Sequence, residues 1–156
     1  MYPASSKGLN KETKTAVYFF TPAFSPLENF SAHGVAIWEK IFPTVEHAFH
    51  WKKFSSVAPG IAAEILAARS PHAAKKIADA NKAKIPADWI NIRVEIMERI
   101  LKAKAEQHED VREALHRTGN RTIVENSPVD DFWGIGPNGK GENMVGKILM
   151  KIRDSL

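Results

Sequence analysis

The sequence predicts an α+β fold in which helices dominate and a small sheet completes one compact domain. Three observations predict it. From Thr44 onward, apolar residues recur mostly at helical spacing, with helix-start signals at Thr44, at Pro59-Gly60 and at Ser70-Pro71. Only three short runs, around 17–20, 34–42 and 122–124, read as strands. At 156 residues the chain can bury a core without disulfides or a structural metal.

Taken in order, residues 1–14 are polar and aperiodic and are expected to be a flexible tail, with residues 15–156 forming the domain. Val17 to Phe20 reads as a short strand, and Gly34 to Trp38 with Ile41 and Phe42 as a second strand or hairpin. Between them lies TPAFSPLENFSAH, a loop rich in Pro and Ser and long enough to carry function. Thr44 is the expected N-cap of a helix through Phe54, with Val45, Ala48 and Phe49 on one face. A second helix runs from Pro59 to Ala68 and a third starts at Ser70-Pro71. Residues 87–105 give the strongest helical pattern, with Trp89, Ile92, Ile96, Met97, Ile100 and Leu101 in register. A shorter helix spans about Glu109 to His116, and Thr122 to Val124 reads as a strand. Val145, Ile148, Leu149, Ile152 and Leu156 mark a C-terminal amphipathic helix.

Composition removes several function classes. With no cysteine, the chain has no thiol nucleophile and no cysteine-based zinc or iron–sulfur site. His47 and His50 lie three apart, but no further ligand has metal-site spacing, so no metal is expected. No apolar run reaches 18 residues and the N-terminus lacks a signal-peptide centre, so the expectation is a cytoplasmic protein, monomeric and without a membrane partner. The net charge of +4 is spread along the chain and suits an anionic small molecule or a nucleic acid equally.

The densest chemical signal is DDFWGIGPNGKGENMVG, residues 130–146, where four glycines fall within eight residues just before the last helix. Glycines let backbone N–H groups approach a phosphate, and a helix start adds its own donors and its dipole. Gly134, Gly136 and Gly139 satisfy GxGxxG, but no strand–helix–strand context surrounds them. Gly134, Gly139 and Lys140 spell GxxxxGK, yet Gly141 follows where a P-loop needs Ser or Thr. The stretch is therefore an anion cradle of another kind or a glycine-rich helix cap.

Few other residues offer chemistry. Glu46 stands in the first turn after Thr44, where the helix dipole favours negative charge; it is a catalytic carboxylate or an ordinary first-turn acid. Asp130 and Asp131 precede the glycines, where an acid would repel phosphate unless it serves sugar hydroxyls or a water; the other reading is a Ser127-Pro128-Asp130 turn. Trp89 is a core residue by register or a stacking face at a helix start.

FSPLENFSAH, PTVEHAFHWKKF, SPHAAKKIA and AEQHEDVREALHRTGNRTIVENSPVDDFWGIGPNGKGENMVGKILM, in this order and spacing, resemble the NADAR domain, the YbiA-like N-glycosidases. The resemblance covers about residues 16–156 and rests on the pair of an EH at a helix start and DxxWGxGxxGxGxNxxG near the end. It implies a mainly helical α+β domain that hydrolyses the N-glycosidic bond between a ribose and a nitrogen base, without metal or cofactor. By motif, Glu46, Trp89 and Asp130 match the catalytic positions, and Asn29, Phe30, Lys53, Trp133, Gly134, Gly136, Gly139, Lys140, Gly141 and Asn143 match ligand-binding ones. Glu46 would stabilise the ribosyl cation or activate water, and Asp130 would hold ribose hydroxyls or share the proton transfer. Trp89 would stack on or wall the base, and the glycine loop with Lys140 would take phosphate. The family's substrates leave three readings: ADP-ribose on guanine in DNA or RNA, favoured because two phosphates make fuller use of a long glycine loop; ribose-5-phosphate conjugates of riboflavin biosynthesis; and ADP-ribose held by a non-catalytic module. Ala48 stands where the family often has an aromatic, and His50-Trp51 replace small polar residues.

Overall fold

Local capping chemistry decides where the helices begin. In the computed structural model, which describes residues 9–20 and 24–156, Thr44 has extended backbone and its Oγ accepts the His47 N–H, starting helix α1, Val45–Phe54. After α2, Pro59–Leu66, Ser70 caps α3, Pro71–Ala80, in the same way by accepting from the Ala73 N–H. Helix α4 runs Trp89–Gln107, α5 Glu109–Thr118 and α6 Met144–Ser155. The strands are β1, Lys11–Glu12, β2, Ala16–Phe19, β3, Val35–Ile37, β4, Lys40–Phe42, and β5, Thr122–Glu125. The α+β, helix-dominated prediction describes this element set. Residues 1–8 of the expected tail lie outside the described residues, while Lys11 and Glu12 of that stretch are paired strand.

The chain divides into two compact units. Residues 29–107 hold α1 to α4 and the β3–β4 hairpin, with α1 against α2, α3 and α4. Phe54, Ala62, Ile65, Ala74 and Ala78 form an apolar cluster beneath α1 to α3, and fully burying a side chain such as Phe54 or Ile65 contributes about 1.5–3 kcal/mol. In α4, Trp89, Ile96, Met97, Ile100 and Leu101 are buried as their register predicts, but Ile92 is 37% exposed. The hairpin turn places Trp38 and Glu39 at φ 54° and 61°, the left-handed pair that a two-residue type I′ turn requires. Helix α1 buries more than one stripe, because Glu46, His47 and His50 are buried with its apolar residues.

The other unit joins the N-terminal residues up to Glu28 to His108–Leu156. Its sheet has the order β1-β2-β5, with β1 antiparallel and β5 parallel to β2, and Val17 opposite Ile123. Helix α6 packs on β5 through its buried face of Val145, Ile148, Leu149 and Ile152. The outer edge of β5 is closed by the long loop before α6: Ile135 N–H donates to Glu125 O at 3.1 Å, and the Asn143 carboxamide accepts from Glu125 N–H and donates to Ile123 O, both at 2.9 Å.

Candidate active site

A buried polar group needs a partner, and α1 brings three of them inside. His47 donates from Nε2 to Ala68 O at 3.0 Å, which leaves Nδ1 to accept from the Thr44 hydroxyl at 2.8 Å. Nδ1 is engaged at the α1 start and Nε2 ties α1 to the chain just after α2, so this histidine is structural. Glu46 is 8% exposed, and its Oε1 lies 2.7 Å from His50 Nε2 one turn on. His50 Nδ1 lies 3.1 Å from Lys53 Nζ one further turn on. Glu46, His50 and Lys53 therefore form a continuous hydrogen-bonded line along one face of α1, at the spacing that stacks helical side chains.

Aromatic residues border that line. Trp89, at the start of α4, packs on Phe49 with ring centroids 5.2 Å apart, and Lys53 Nζ lies 5.2 Å from the Phe49 centroid and 5.8 Å from that of Trp89. Burial lowers Lys53 to about 8; Glu46 and Asp79 oppose this, while Lys75 and Arg93 add to it. Although burial pushes the Asp79 carboxyl up, the hydrogen bond and charge of Lys75 outweigh it and hold Asp79 below the ordinary carboxylate range. Burial likewise holds His72 below its ordinary value against the charge of Glu46. Carboxylate, cations and flat aromatic surface are thus brought together in one unit.

The FSPLENFSAH loop contributes from its end. Asn29 O accepts the Glu46 N–H at 3.2 Å, satisfying one of the unpaired donors of the α1 start. The Asn29 side chain is buried, its Nδ2 facing Met97 Sδ at 3.7 Å and its Oδ1 without a hydrogen-bond partner. Phe30 meets His72 edge-on at 4.7 Å between ring centroids. Of the residues matched by motif, Asn29, Phe30, Glu46, Lys53 and Trp89 all fall in residues 29–107.

Asp130 and the glycine stretch fall in the other unit, where the loop is bonded mainly to itself. Asp130 Oδ1 accepts from Phe132 N–H at 2.9 Å and Trp133 N–H at 2.7 Å, so the carboxylate organises the turn that the sequence allowed for. Gly141 N–H donates to Ile135 O, Asn143 N–H to Gly134 O, Met144 N–H to Phe132 O and Val145 N–H to Trp133 O, at 2.7 to 3.0 Å. The α6 start thus spends these donors on the loop's own carbonyls, where an anion cradle would leave them open. Two glycines show why the loop needs the residue type. At Gly141 a Cβ would stand 2.5 Å from Asp131 O and 2.7 Å from Gly134 O, and Gly136 combines φ +71° with a Cβ position 2.7 Å from Asp131 Cβ. Gly139 donates to Gly136 O at 3.3 Å and Lys140 N–H to Asn138 Oδ1 at 3.1 Å. Phe132 and Trp133 pack edge to face at 4.8 Å.

The NADAR domain family matches residues 10–156. The chain belongs to the NADAR domain family. An N-glycosidase of Nostoc punctiforme is 36% identical over 143 residues, covering 90% of this chain and 92% of that protein. The N-glycosidase YbiA of Escherichia coli is 31% identical over 144 residues, covering 91% and 89%. The NMR structure of E. coli YbiA superposes with a TM-score of 0.83 at 29% identity, over 94% of this chain and 88% of that one. The riboflavin biosynthesis protein PYRR of Zea mays is 32% identical over 146 residues, which are 85% of this chain and 23% of that protein. This NADAR chain is thereby an N-glycosidase by class, and no helix among its described residues is long and apolar enough to cross a membrane.

Sequence reasoning missed the hydrogen-bonded role of His50, which it weighed as half of a metal pair and as a departure from the family's small polar residues, and it did not single out Arg93. The available signal was the 46, 50, 53 spacing of Glu, His and Lys on one helix; burial of that face is what makes it chemical.

Proposed function

We propose that this protein hydrolyses the N-glycosidic bond between a ribose and a nitrogen base, with ADP-ribose attached to guanine in nucleic acid as its substrate. The observation that carries the reading is a buried carboxylate, Glu46, linked through His50 to an ammonium that lies over the Phe49 and Trp89 rings. Cleavage of an N-riboside breaks the C1–N bond through an oxocarbenium-like state, adds water at C1 and delivers a proton to the departing base. Glu46 supplies the negative charge that such a state needs, or takes the proton of the attacking water. Trp89 and Phe49 wall the base, and the buried Asn29 carboxamide receives a ribose hydroxyl. Lys53, with Lys75 and Arg93 around it, meets the phosphates. Asp130, Trp133 and Lys140 enter the proposal through their places in the family motif, Asp130 as a ligand of the sugar or a partner in proton transfer. The reaction calls for no metal and no redox cofactor.

The likeness to PYRR favours a second reading, hydrolysis of phosphoribosylamino pyrimidines. Purified protein offered ADP-ribosylated guanine DNA and the pyrimidine intermediate side by side, with base and sugar separated by chromatography, tests both. Release of guanine-bearing DNA free of ADP-ribose is expected. Turnover of the pyrimidine alone overturns the substrate, and binding of ADP-ribose without turnover of either makes the protein a reader of the nucleotide.

A further inference from the structure

We infer that His50 is a positioning residue for the hydrolysis: its Nε2–H fixes the Glu46 carboxylate while its Nδ1 accepts from Lys53, so that the performance of Glu46 depends on the charge of Lys53. The inference rests on the N-glycosidase reading with Glu46 at the reaction centre.

With Glu46 ionised and Lys53 an ammonium, hydrogen-bond chemistry allows the line one arrangement. An ionised carboxylate only accepts and an ammonium only donates. A ring placed 2.7 Å from Glu46 Oε1 and 3.1 Å from Lys53 Nζ must therefore carry its proton on Nε2 and its lone pair on Nδ1. His50 is then neutral and its tautomer is fixed from both sides. The ring is buried, at 5% exposure, and it also packs on Phe49 with centroids 5.4 Å apart. Holding Oε1 locks the Glu46 rotamer and leaves the second carboxylate oxygen for the reaction, which is the way a supporting hydrogen bond tunes an acid or base.

The same geometry makes the line sensitive to pH. Glu46 and Lys53 face His50 on α1; Asp79, Lys75 and His72 stand on α3, and Arg93 on α4, among the charges acting on this group. Burial brings Lys53 to about 8, so it loses its proton near there. The neutral amine holds Nδ1 less firmly than the ammonium, while the Glu46 carboxylate still requires the Nε2 proton. The ring therefore keeps its tautomer but loses the charge-assisted restraint that fixed its orientation on Glu46.

Two substitutions divide the two bonds. In His50→Gln the side-chain amide falls near Nε2 and keeps a donor for Glu46; in His50→Asn the carbonyl falls near Nδ1 and keeps an acceptor for Lys53. On a substrate that the parent turns over, His50→Asn should lower kcat about tenfold or more with KM little changed, as expected for a misplaced catalytic group. The parent should lose activity above about pH 8, and His50→Gln should recover most of the His50→Asn loss at neutral pH and flatten that fall. Parent kcat and pH profile in both variants would overturn the inference. So would equal losses in both that track their melting temperatures, which is the behaviour of a packing residue. A proton–nitrogen correlation spectrum of His50 reads the tautomer without any substrate: an Nε2-protonated neutral ring at pH 7 whose Nδ1 resonance shifts as Lys53 titrates, and does not shift in Lys53→Met, is expected. An imidazolium or an Nδ1-protonated ring at pH 7 overturns the inference by itself. Absence of turnover by the parent on every ribosyl–base substrate counts against the N-glycosidase reading and leaves this spectroscopic test standing.

Discussion

Glu46 and Trp89 show how one residue's position decides between packing and chemistry. Both are nearly buried, at 8% and 7% exposure, and burial alone would make each a core residue. For Glu46 the neighbours argue otherwise, because its carboxylate is hydrogen-bonded to His50, which in turn meets the Lys53 ammonium beside the Trp89 ring. Glu46→Gln keeps the shape and loses the charge, so turnover should fall about a hundredfold or more while ADP-ribose binding survives. Single-turnover cleavage beside calorimetry checks this, and parent-like cleavage would remove the carboxylate from the mechanism. Trp89→Phe should hold stability within about 1.5 kcal/mol while lowering affinity or rate. A large fall in melting temperature with normal specific activity would instead return Trp89 to the core. Asp130 differs in kind: with one oxygen bonded to two loop amides, Asp130→Asn should disturb loop order as well as activity, which Glu46→Gln should not.

At the scale of elements, legibility followed locality. The starts of α1, α2 and α3 were readable because Thr44, Pro59 and Ser70-Pro71 act within a turn of themselves. The glycine stretch was located correctly as a loop feeding α6, but between an anion cradle and a helix cap the sequence could not choose, and the amides of Gly139, Gly141, Asn143, Met144 and Val145 are bonded to carbonyls of residues 132–136. That pairing spans a loop whose path no short window reveals. The Glu46, His50, Lys53 line was equally hidden, since its spacing is common on solvated helices and only tertiary burial gives it meaning. Gly141→Ala tests the loop's self-packing: the added Cβ would strike Asp131 O and Gly134 O, so both stability and ligand binding should fall. Calorimetric melting and titration would detect it, and an unperturbed variant would show slack in the loop that the packing distances exclude. The β3–β4 turn offers the opposite change. Glu39 holds φ 61° and is exposed, a conformation that costs a non-glycine residue about 1 kcal/mol, so Glu39→Gly should stabilise by up to about that amount in urea melts with unchanged slope.

Across the whole molecule, stability should carry the signature of Lys53. In the unfolded chain its ammonium titrates at the ordinary 10.5, in the folded protein at about 8. Between those values the unfolded state binds more protons, so this group's contribution to stability rises with pH from about 8 to about 10.5 and is at its least favourable below 8. Lys53→Met lacks the titration. The parent should therefore gain on the variant in denaturant midpoint as pH rises through that window, while at neutral pH the variant should be at least as stable and much less active. A midpoint difference flat from pH 7 to pH 10.5 would refute the linkage. The Asn143 carboxamide has a consequence of another sort. Strand β5 stands at the end of its sheet, and a bare strand edge is a template on which a second chain can add. By occupying Glu125 N–H and Ile123 O, Asn143 denies that template to other copies. Asn143→Asp loses the donor to Ile123, and the outcome to watch is colloidal: light scattering during refolding should rise at protein concentrations where the parent stays clear.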